Sequence, residues 1–422
     1  NEHWRTRLSL NRAHDRNYLR NTNLFEPQGD DLRSQAVVEG FYGTDYLGLS
    51  TAYYQDLRPN TNRADAYVLP KITYSARSLK DGIGGRWHWQ ANASAFSPSY
   101  KTSAQRIAAD AGYRLNQRST LGYEWDVNAN LALRYFRDNT SSRTGVRGRN
   151  IRTNFLALPQ LTTELRVPFI KSDEAGQAIL QPLLRVRINP NRPDNAKNIN
   201  TDSVNLPFDD VSIFSSRISG NDVQDDGVVI GYGAQYIRNN NDGTMIDITA
   251  GQEYRLSEND ILNNNLSING GASDFFTATQ WHAGDWRLTH KLYFDEDNAT
   301  LNRYIADVAY NHGPFDMNIG VRALPHDPVP ASRDVNDLYV QAGYQISNAW
   351  RTNLHGLIDT DKGETRHWNF AAVYEDECLR FTSTLYRTLT RSAGSPEDTG
   401  LLFQIDLKTV FSNSFSAGSL LP

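Results

Sequence analysis

Residues 228–256 read VVIGYGAQYIRNNNDGTMIDITAGQEYRL, and taken two at a time they sort onto two faces. Val228, Ile230, Tyr232, Ala234 and Tyr236 fall on one face; Val229, Gly231, Gly233 and Gln235 fall on the other. The run NNNDG at 239–243 then supplies a turn, because Asn and Gly tolerate positive φ at little cost. After it the alternation resumes. Ile246, Ile248, Ala250, Tyr254 and Leu256 share one face, and Asp247, Thr249, Gly251, Glu253 and Arg255 share the other. Side chains alternate along a strand, so this is a hairpin of two long strands with one apolar and one polar face. A sandwich buries its apolar faces against a second sheet and uses shorter strands. Strands of about ten residues that are apolar outward and polar inward fit a transmembrane β-barrel. On that register an Ile248→Arg change puts a charge into hydrocarbon, whereas Thr249→Arg faces a wet lumen and is expected to be tolerated.

The 422 residues allow several soluble domains or one large barrel. Hydrophobic residues make up 39% and the mean hydropathy is −0.59, which is too polar for a bundle of membrane helices. Aromatic residues at 11%, with 21 Tyr and 8 Trp, argue against disorder and supply the girdles that a barrel places at its two interfaces. A net charge of −5 argues against nucleic acid as a partner. No leader peptide opens the chain, so the sequence is expected to begin after processing or later still. The single cysteine, Cys378, is either a chance free thiol or half of a bond to another segment or chain.

The same alternation runs along the chain. A weak first strand lies in 3–14, and a second clear hairpin spans 32–57 around Gly43-Thr44-Asp45. Residues 67–75 carry Pro70, which removes a ladder donor and belongs at a strand end or bulge. Residues 85–95 put Trp87 and Trp89 on one face. Strands continue through 104–115 and 121–137, and through 154–167 and 178–188, read as short and interrupted by Pro159 and Pro182. Residues 275–324 hold four more, 337–359 a hairpin, and 364–375, 378–390 and 400–410 the end, with 400–410 read as the last strand. That makes about 21 strands, a typical density for a large barrel. Residues 189–227 are the longest stretch without alternation. A loop of that length is usually functional, and it is expected to fold into the lumen, held by Asp209, Asp210, Phe214, Asn221 and Asp222.

Chemistry is sparse. Neither a zinc-protease HExxH, nor a GxSxG elbow, nor a CxxC pair, nor a P-loop occurs. His88, His282, His290 and His367 sit beside aromatic residues and read as lumen or interface histidines, so no catalytic residue, cofactor or metal is expected. Asp222, Asp225 and Asp226 form an acidic cluster, but the spacing misses the calcium-loop pattern and reads as a polar turn. Arg134, Arg185, Arg187, Arg255 and Arg380 fall on polar faces. They either solvate the lumen alongside Asp and Glu, or line a path for an anionic, phosphate-bearing substrate.

The block at 207–233, PFDDVSIFSSRISGNDVQDDGVVIGYG, resembles the LptD family of lipopolysaccharide-assembly proteins. There an F-D-D run leads through R-x-S-G-x-D and an acidic turn into a Tyr-Gly strand. Gly251-Gln252 with Tyr254-Arg255-Leu256 is similar to the family's G-Q-x-Y-R-L. Leu180-Gln181-Pro182 resembles its L-E-P with Gln for Glu, and Tyr53 to Leu57 and Leu69-Pro70 are similar to its upstream strands. Tyr374 to Cys378 and Phe403 to Lys408 resemble its cysteine strand and last strand. Only Cys378 stands where many members have two cysteines, and no periplasmic N-terminal domain is recognisable.

The resemblance implies the C-terminal part of an outer-membrane barrel of about 26 strands in a Gram-negative bacterium. It implies a lateral opening through which lipopolysaccharide reaches the outer leaflet, an LptE-like lipoprotein plug, and a periplasmic bridge protein that delivers the lipid. It further implies a disulfide from Cys378, on the periplasmic side, to a cysteine outside this chain. The edge of the opening would be the strand holding Leu401, Phe403, Ile405 and Leu407 toward lipid and Gln404, Asp406 and Lys408 toward the lumen. A passive porin and a lipid-acting barrel enzyme remain open on the residues alone.

Overall fold

A computed structural model describes residues 3–14, 31–57, 65–99, 102–141, 149–189, 204–205, 218–220, 227–256, 271–324, 335–389, 398–408 and 411–417. Those residues form strands and turns and no helix. The first strands are β1 (Trp4–Ser9), β2 (Asp31–Tyr42), β3 (Asp45–Asp56), β4 (Ala66–Arg77), β5 (Arg86–Ser99) and β6 (Thr102–Arg118). Then come β7 (Glu124–Ser141), β8 (Arg149–Arg166), β9 (Phe169–Asp173), β10 (Gly176–Asn189) and the two-residue pair β11 (Val204–Asn205) and β12 (Ile218–Ser219). The second half holds β13 (Gly227–Asn240), β14 (Met245–Arg255), β15 (Phe275–Ala283), β16 (Trp286–Phe294), β17 (Leu301–His312) and β18 (Phe315–Leu324). It ends with β19 (Val335–Gln345), β20 (Trp350–Asp359), β21 (Glu364–Glu375), β22 (Leu379–Thr388), β23 (Asp398–Leu407) and β24 (Phe411–Ala417).

All but β11 and β12 belong to one 22-stranded antiparallel sheet in which neighbours in sequence are neighbours in space. β8 and β9 are collinear pieces of one pass, since β10 pairs with both. The sheet is therefore 21 passes wide, the wall of a large transmembrane barrel. Short turns, such as 43–44, 174–175, 284–285, 313–314 and 376–378, collect at one end, and the strand ends joined by the longer connections (Ser9 to Asp31, Asn189 to Gly227, Arg255 to Phe275) lie at the other. Outer-membrane barrels turn tightly on the periplasmic side and carry long loops outside. The short-turn end also carries an aromatic belt: Trp87 against Tyr113, Trp286 against Tyr310 and Trp350 against Tyr374, with ring centroids 4.5–5.2 Å apart. Tyr and Trp settle at the membrane–water interface because one part of the ring is apolar and another can hydrogen-bond.

The central hairpin is β13–β14, turning on Gly243 at φ 84. Tyr232, Tyr236 and Tyr254 are exposed on one face, while Val229, Thr249, Glu253 and Arg255 are buried on the other. The same sorting runs round the wall: Leu131, Leu133, Phe155 and Leu161 lie outside, Ala132, Arg134, Asp138 and Leu158 inside.

Two expectations change. β8 and β10 run straight through Pro159 and Pro182, each in a strand of 14 or more residues. Pro159 lies just beyond the β8–β10 ladder, which stops at the Leu161–Ile188 pair, and Pro182 faces the break at 167–168 between β8 and β9. Each proline thus sits at an end or a break of a neighbouring ladder, where a missing amide donor interrupts little pairing. Pro70 does occupy a bulge, where the β4–β5 register shifts between Val68 and Lys71. Among the described residues a further strand, β24, follows and pairs with β23 from Leu407–Phe411 to Leu401–Ala417, so 400–410 is not the last strand.

Candidate functional site

The inward face is where this sequence spends its charge. Across β8, β10, β13 and β14 the register aligns Glu164, Arg185, Gly231 and Glu253 in one row, with Arg187, Val229 and Arg255 in the next. Gly231 puts no side chain between Arg185 and Glu253. Arg185, Arg187, Glu253 and Arg255 are all at most 6% exposed. A cavity of about 400 Å³ opens beside them, lined by Arg114, Asp126, Glu164, Arg166, Arg185 and Arg187. Further round the wall Arg134 grips both carboxylate oxygens of Asp110 at 2.8 and 3.0 Å, and Arg106 pairs with Asp138. At the long-loop end Arg366 bridges Asp337 at 3.0 Å and Asp359 at 2.7 Å, and Arg322 joins Asp337 at 2.7 Å. Buried charges are tolerable only when paired; Arg106, Arg134, Arg322 and Arg366 each pair with a carboxylate, and Arg255 lies 4.0 Å from Glu253. The inward face is therefore rich in paired charge where the outward face is apolar.

Of the five basic residues singled out from sequence, Arg134, Arg185, Arg187 and Arg255 lie in this wall. Arg380 lies at the turn end, where its Nε is 3.6 Å from Glu375 with the side chain half exposed. His367 is held between Thr388 (3.1 Å) and Asn369 (3.2 Å). Asp209, Asp210, Phe214, Asn221 and Asp222, with Asp225 and Asp226, lie outside the described residues.

Cys378 is exposed in the 376–378 turn at the short-turn end. Asp376 organises that turn: its Oδ1 accepts the Cys378 amide at 2.9 Å and the Leu379 amide at 2.8 Å, and its Oδ2 accepts the Tyr374 hydroxyl at 3.0 Å. These donors, the Cys378 amide first, hold its carboxyl below the usual carboxylate range. Lys408 ties the turn to the end of β23, its amide donating to the Cys378 carbonyl at 2.9 Å and its ammonium lying 2.9 Å from Glu375. Because β24 follows, Cys378 precedes the third strand from the end rather than the second.

Along β23 Leu407 is exposed, and Gln404 donates to both oxygens of Asp406 at 2.9 and 3.1 Å on the opposite face. Among the described residues β24 pairs only with β23, and β1 only with β2.

Two features were not anticipated. Phe276 and Tyr293 are fully or nearly buried on the inward side with Leu183 and Ala278, and the Arg303 guanidinium lies 3.8 Å from the Tyr293 ring centroid. The adjacent pair Phe275-Phe276 was the available signal, because one of two consecutive strand residues must point inward. At the long-loop end Asp274, Asp295 and Glu296 bring carboxylate oxygens within 4.8 Å of one another, the set best able to hold a cation among the described residues.

Against known proteins, the family model for LptD, LPS transport system D, matches residues 1–350. No curated protein matches. Similar solved structures include a mutant ferric enterobactin receptor PfeA from Pseudomonas aeruginosa, at TM-score 0.45 and 10% identity, covering 90% of this chain and 70% of that one. The siderophore receptor PirA from Acinetobacter baumannii gives TM-score 0.44 and 9% identity over 93% and 74%. The FrpB iron transporter from Neisseria meningitidis gives 0.42 and 9% over 89% and 71%.

Proposed function

We propose, proceeding from the fact that this chain belongs to the LptD family, LPS transport system D, that it delivers lipopolysaccharide to the outer leaflet through a lateral opening beside β24. The family makes it a barrel of the Gram-negative outer membrane that works in lipopolysaccharide transport, and the family is one of transporters, not of enzymes. The route through the wall is the further step. Its support is the family together with the sorting of the wall, which is apolar outside and lined with paired charges inside. Inside a bilayer each unpaired backbone group costs several kcal/mol, so an edge must be closed by some neighbour. Lipopolysaccharide has a hydrated, phosphorylated head and apolar chains. A lumen lined with paired charges suits the head, and a parting wall lets the chains leave sideways.

On this reading the opening is bordered by β24, and Leu401, Phe403, Ile405 and Leu407, with Gln404, Asp406 and Lys408, form the supporting strand behind it. The 189–227 segment, with Asp209, Asp210, Phe214, Asn221 and Asp222, folds into the lumen. An LptE-like lipoprotein fills the remaining space, and a periplasmic bridge protein feeds the barrel from the short-turn side. Cys378, exposed on that side, bonds a cysteine outside this chain and fixes the delivery domain beneath the barrel. Depletion of the protein tests the reading: newly made lipopolysaccharide should stop reaching the cell surface, and the purified barrel should bring a lipoprotein with it. Normal surface delivery in depleted cells, with channel conductance by the barrel alone, would point to a porin.

A further inference from the structure

We infer that the outer wall over β4–β8 carries a docking groove for one lipopolysaccharide molecule, with a phosphate at Arg137 and an acyl chain lying over Ala91 and Ala109. The inference rests on the outer-membrane location of the barrel and not on the lateral opening. The outward rows follow from the register. At the long-loop end one row runs through Ala95, Gln105 and Arg137. The next row toward the membrane runs through Ile72, Ala93, Ile107 and Tyr135, and the one below it through Tyr74, Ala91, Ala109 and Leu133.

Two concavities lie on this face. The upper, about 430 Å³, is bounded by Tyr67, Leu69, Gln105, Arg137, Asn139 and Ile151. The lower, about 680 Å³, is floored by Ala91, Ala109 and Ala111 and walled by Tyr74, Trp89 and Leu133. The upper one has a structural cause. The β4–β5 register shifts between Val68 and Lys71, and the β5–β6 register between Phe96 and Ser99, so the wall is indented where both ladders are interrupted.

The fold itself says what covers this surface, since the outward face of a transmembrane barrel contacts lipid. Charge says which lipid. Arg137 is exposed on the outward face near the loop end, with the amide of Gln105 directly across the ladder and Asn139 one row above. That group suits a phosphate at headgroup depth in the outer leaflet. From the Arg137 row to the Ala109 row is four residues, about 14 Å along the strand at ~3.4 Å per residue. That is within one leaflet of a hydrocarbon core about 30 Å thick. The outer leaflet's phosphorylated, multi-chain lipid is lipopolysaccharide, the substrate of this family.

The test reconstitutes the full-length protein with its partners in membrane discs holding equal amounts of lipopolysaccharide and phosphatidylglycerol, and counts retained lipid by native mass spectrometry. Wild type should keep one lipopolysaccharide. Arg137→Glu and Ala109→Trp, both facing lipid, should lower that occupancy at least tenfold, and Gln252→Glu, an outward change on β14, should leave it intact. Ala109→Leu serves as a second filling variant should the tryptophan impair folding, read from heat-modifiable gel mobility. Equal retention in Arg137→Glu, equal retention of phosphatidylglycerol, or no stoichiometric lipid on wild type would each overturn the inference. Surface delivery of lipopolysaccharide, measured in the same variants, should match wild type, so a failed groove would leave the translocon reading standing.

Discussion

Ile248 and Thr249 are chain neighbours that face different media. Ile248 sits in the outward row opposite Tyr236 and Thr279, while Thr249 is inward and 4% exposed. An Ile248→Arg change should cost up to about 2–4 kcal/mol if it lies near the midplane. Thr249→Arg, expected from sequence to be harmless, should also destabilise, because the inward face is crowded and an extra side chain of that length has nowhere to go. Urea unfolding of the folded barrel in detergent measures both; a neutral Ile248→Arg would mean that the register is inverted. The ion pairs give a second forecast. Arg134→Met leaves the Asp110 carboxylate without its guanidinium and should cost about 3–5 kcal/mol, while Arg134→Met with Asp110→Leu should regain most of it. If the double variant is no better than the single, Arg134 acts through packing instead. Residue-scale reading failed where it assumed that inward means polar. Phe276 and Tyr293 are inward and buried, because part of this lumenal face is packed against other side chains rather than wet.

At the scale of elements, legibility followed the strength of the alternation. β21 runs over Glu364–Glu375 as read, because apolar and polar residues alternate cleanly between two turns. β9 was missed because five exposed residues after Val167-Pro168 carry no contrast of faces. β24, FSNSFSA, was missed because serine and asparagine dilute its pattern to two phenylalanines, so an edge strand reads like a tail. The prolines misled because a proline forbids one donor, not a strand, and both stand at an end or a break of a ladder. The turn before β22 allows a test of electrostatics. Asp376 is held below the ordinary carboxylate range by the amides it accepts, so its contribution is complete above about pH 4, the usual value for an unfolded Asp, and fades as pH falls through the folded value. Hydrogen exchange at the Cys378 and Leu379 amides should be slow at pH 6 relative to intrinsic rates and lose protection below about pH 4. An Asp376→Asn variant should blunt that pH dependence; an unchanged profile would show that the turn does not depend on this carboxylate.

For the whole molecule, the apolar exterior, the aromatic belt at the short-turn end and the paired charges inside all describe one object, a wall between hydrocarbon and a polar lumen. The sequence pattern carried that much because most of the long strands repeat it. The proposed opening is not legible in the same way, because periodicity is blind to pairing partners. The central claim is that lipopolysaccharide leaves the lumen beside β24. The most direct measurement places a photo-crosslinking amino acid at Phe415 in β24 and, separately, at Ile319 in the distant β18, and looks for lipopolysaccharide adducts in growing cells after a pulse of light. Adducts should form at 415 and vanish when lipopolysaccharide synthesis is blocked, with none above background at 319. Equal adducts at both positions, or none at 415 in cells that export normally, would contradict the claim.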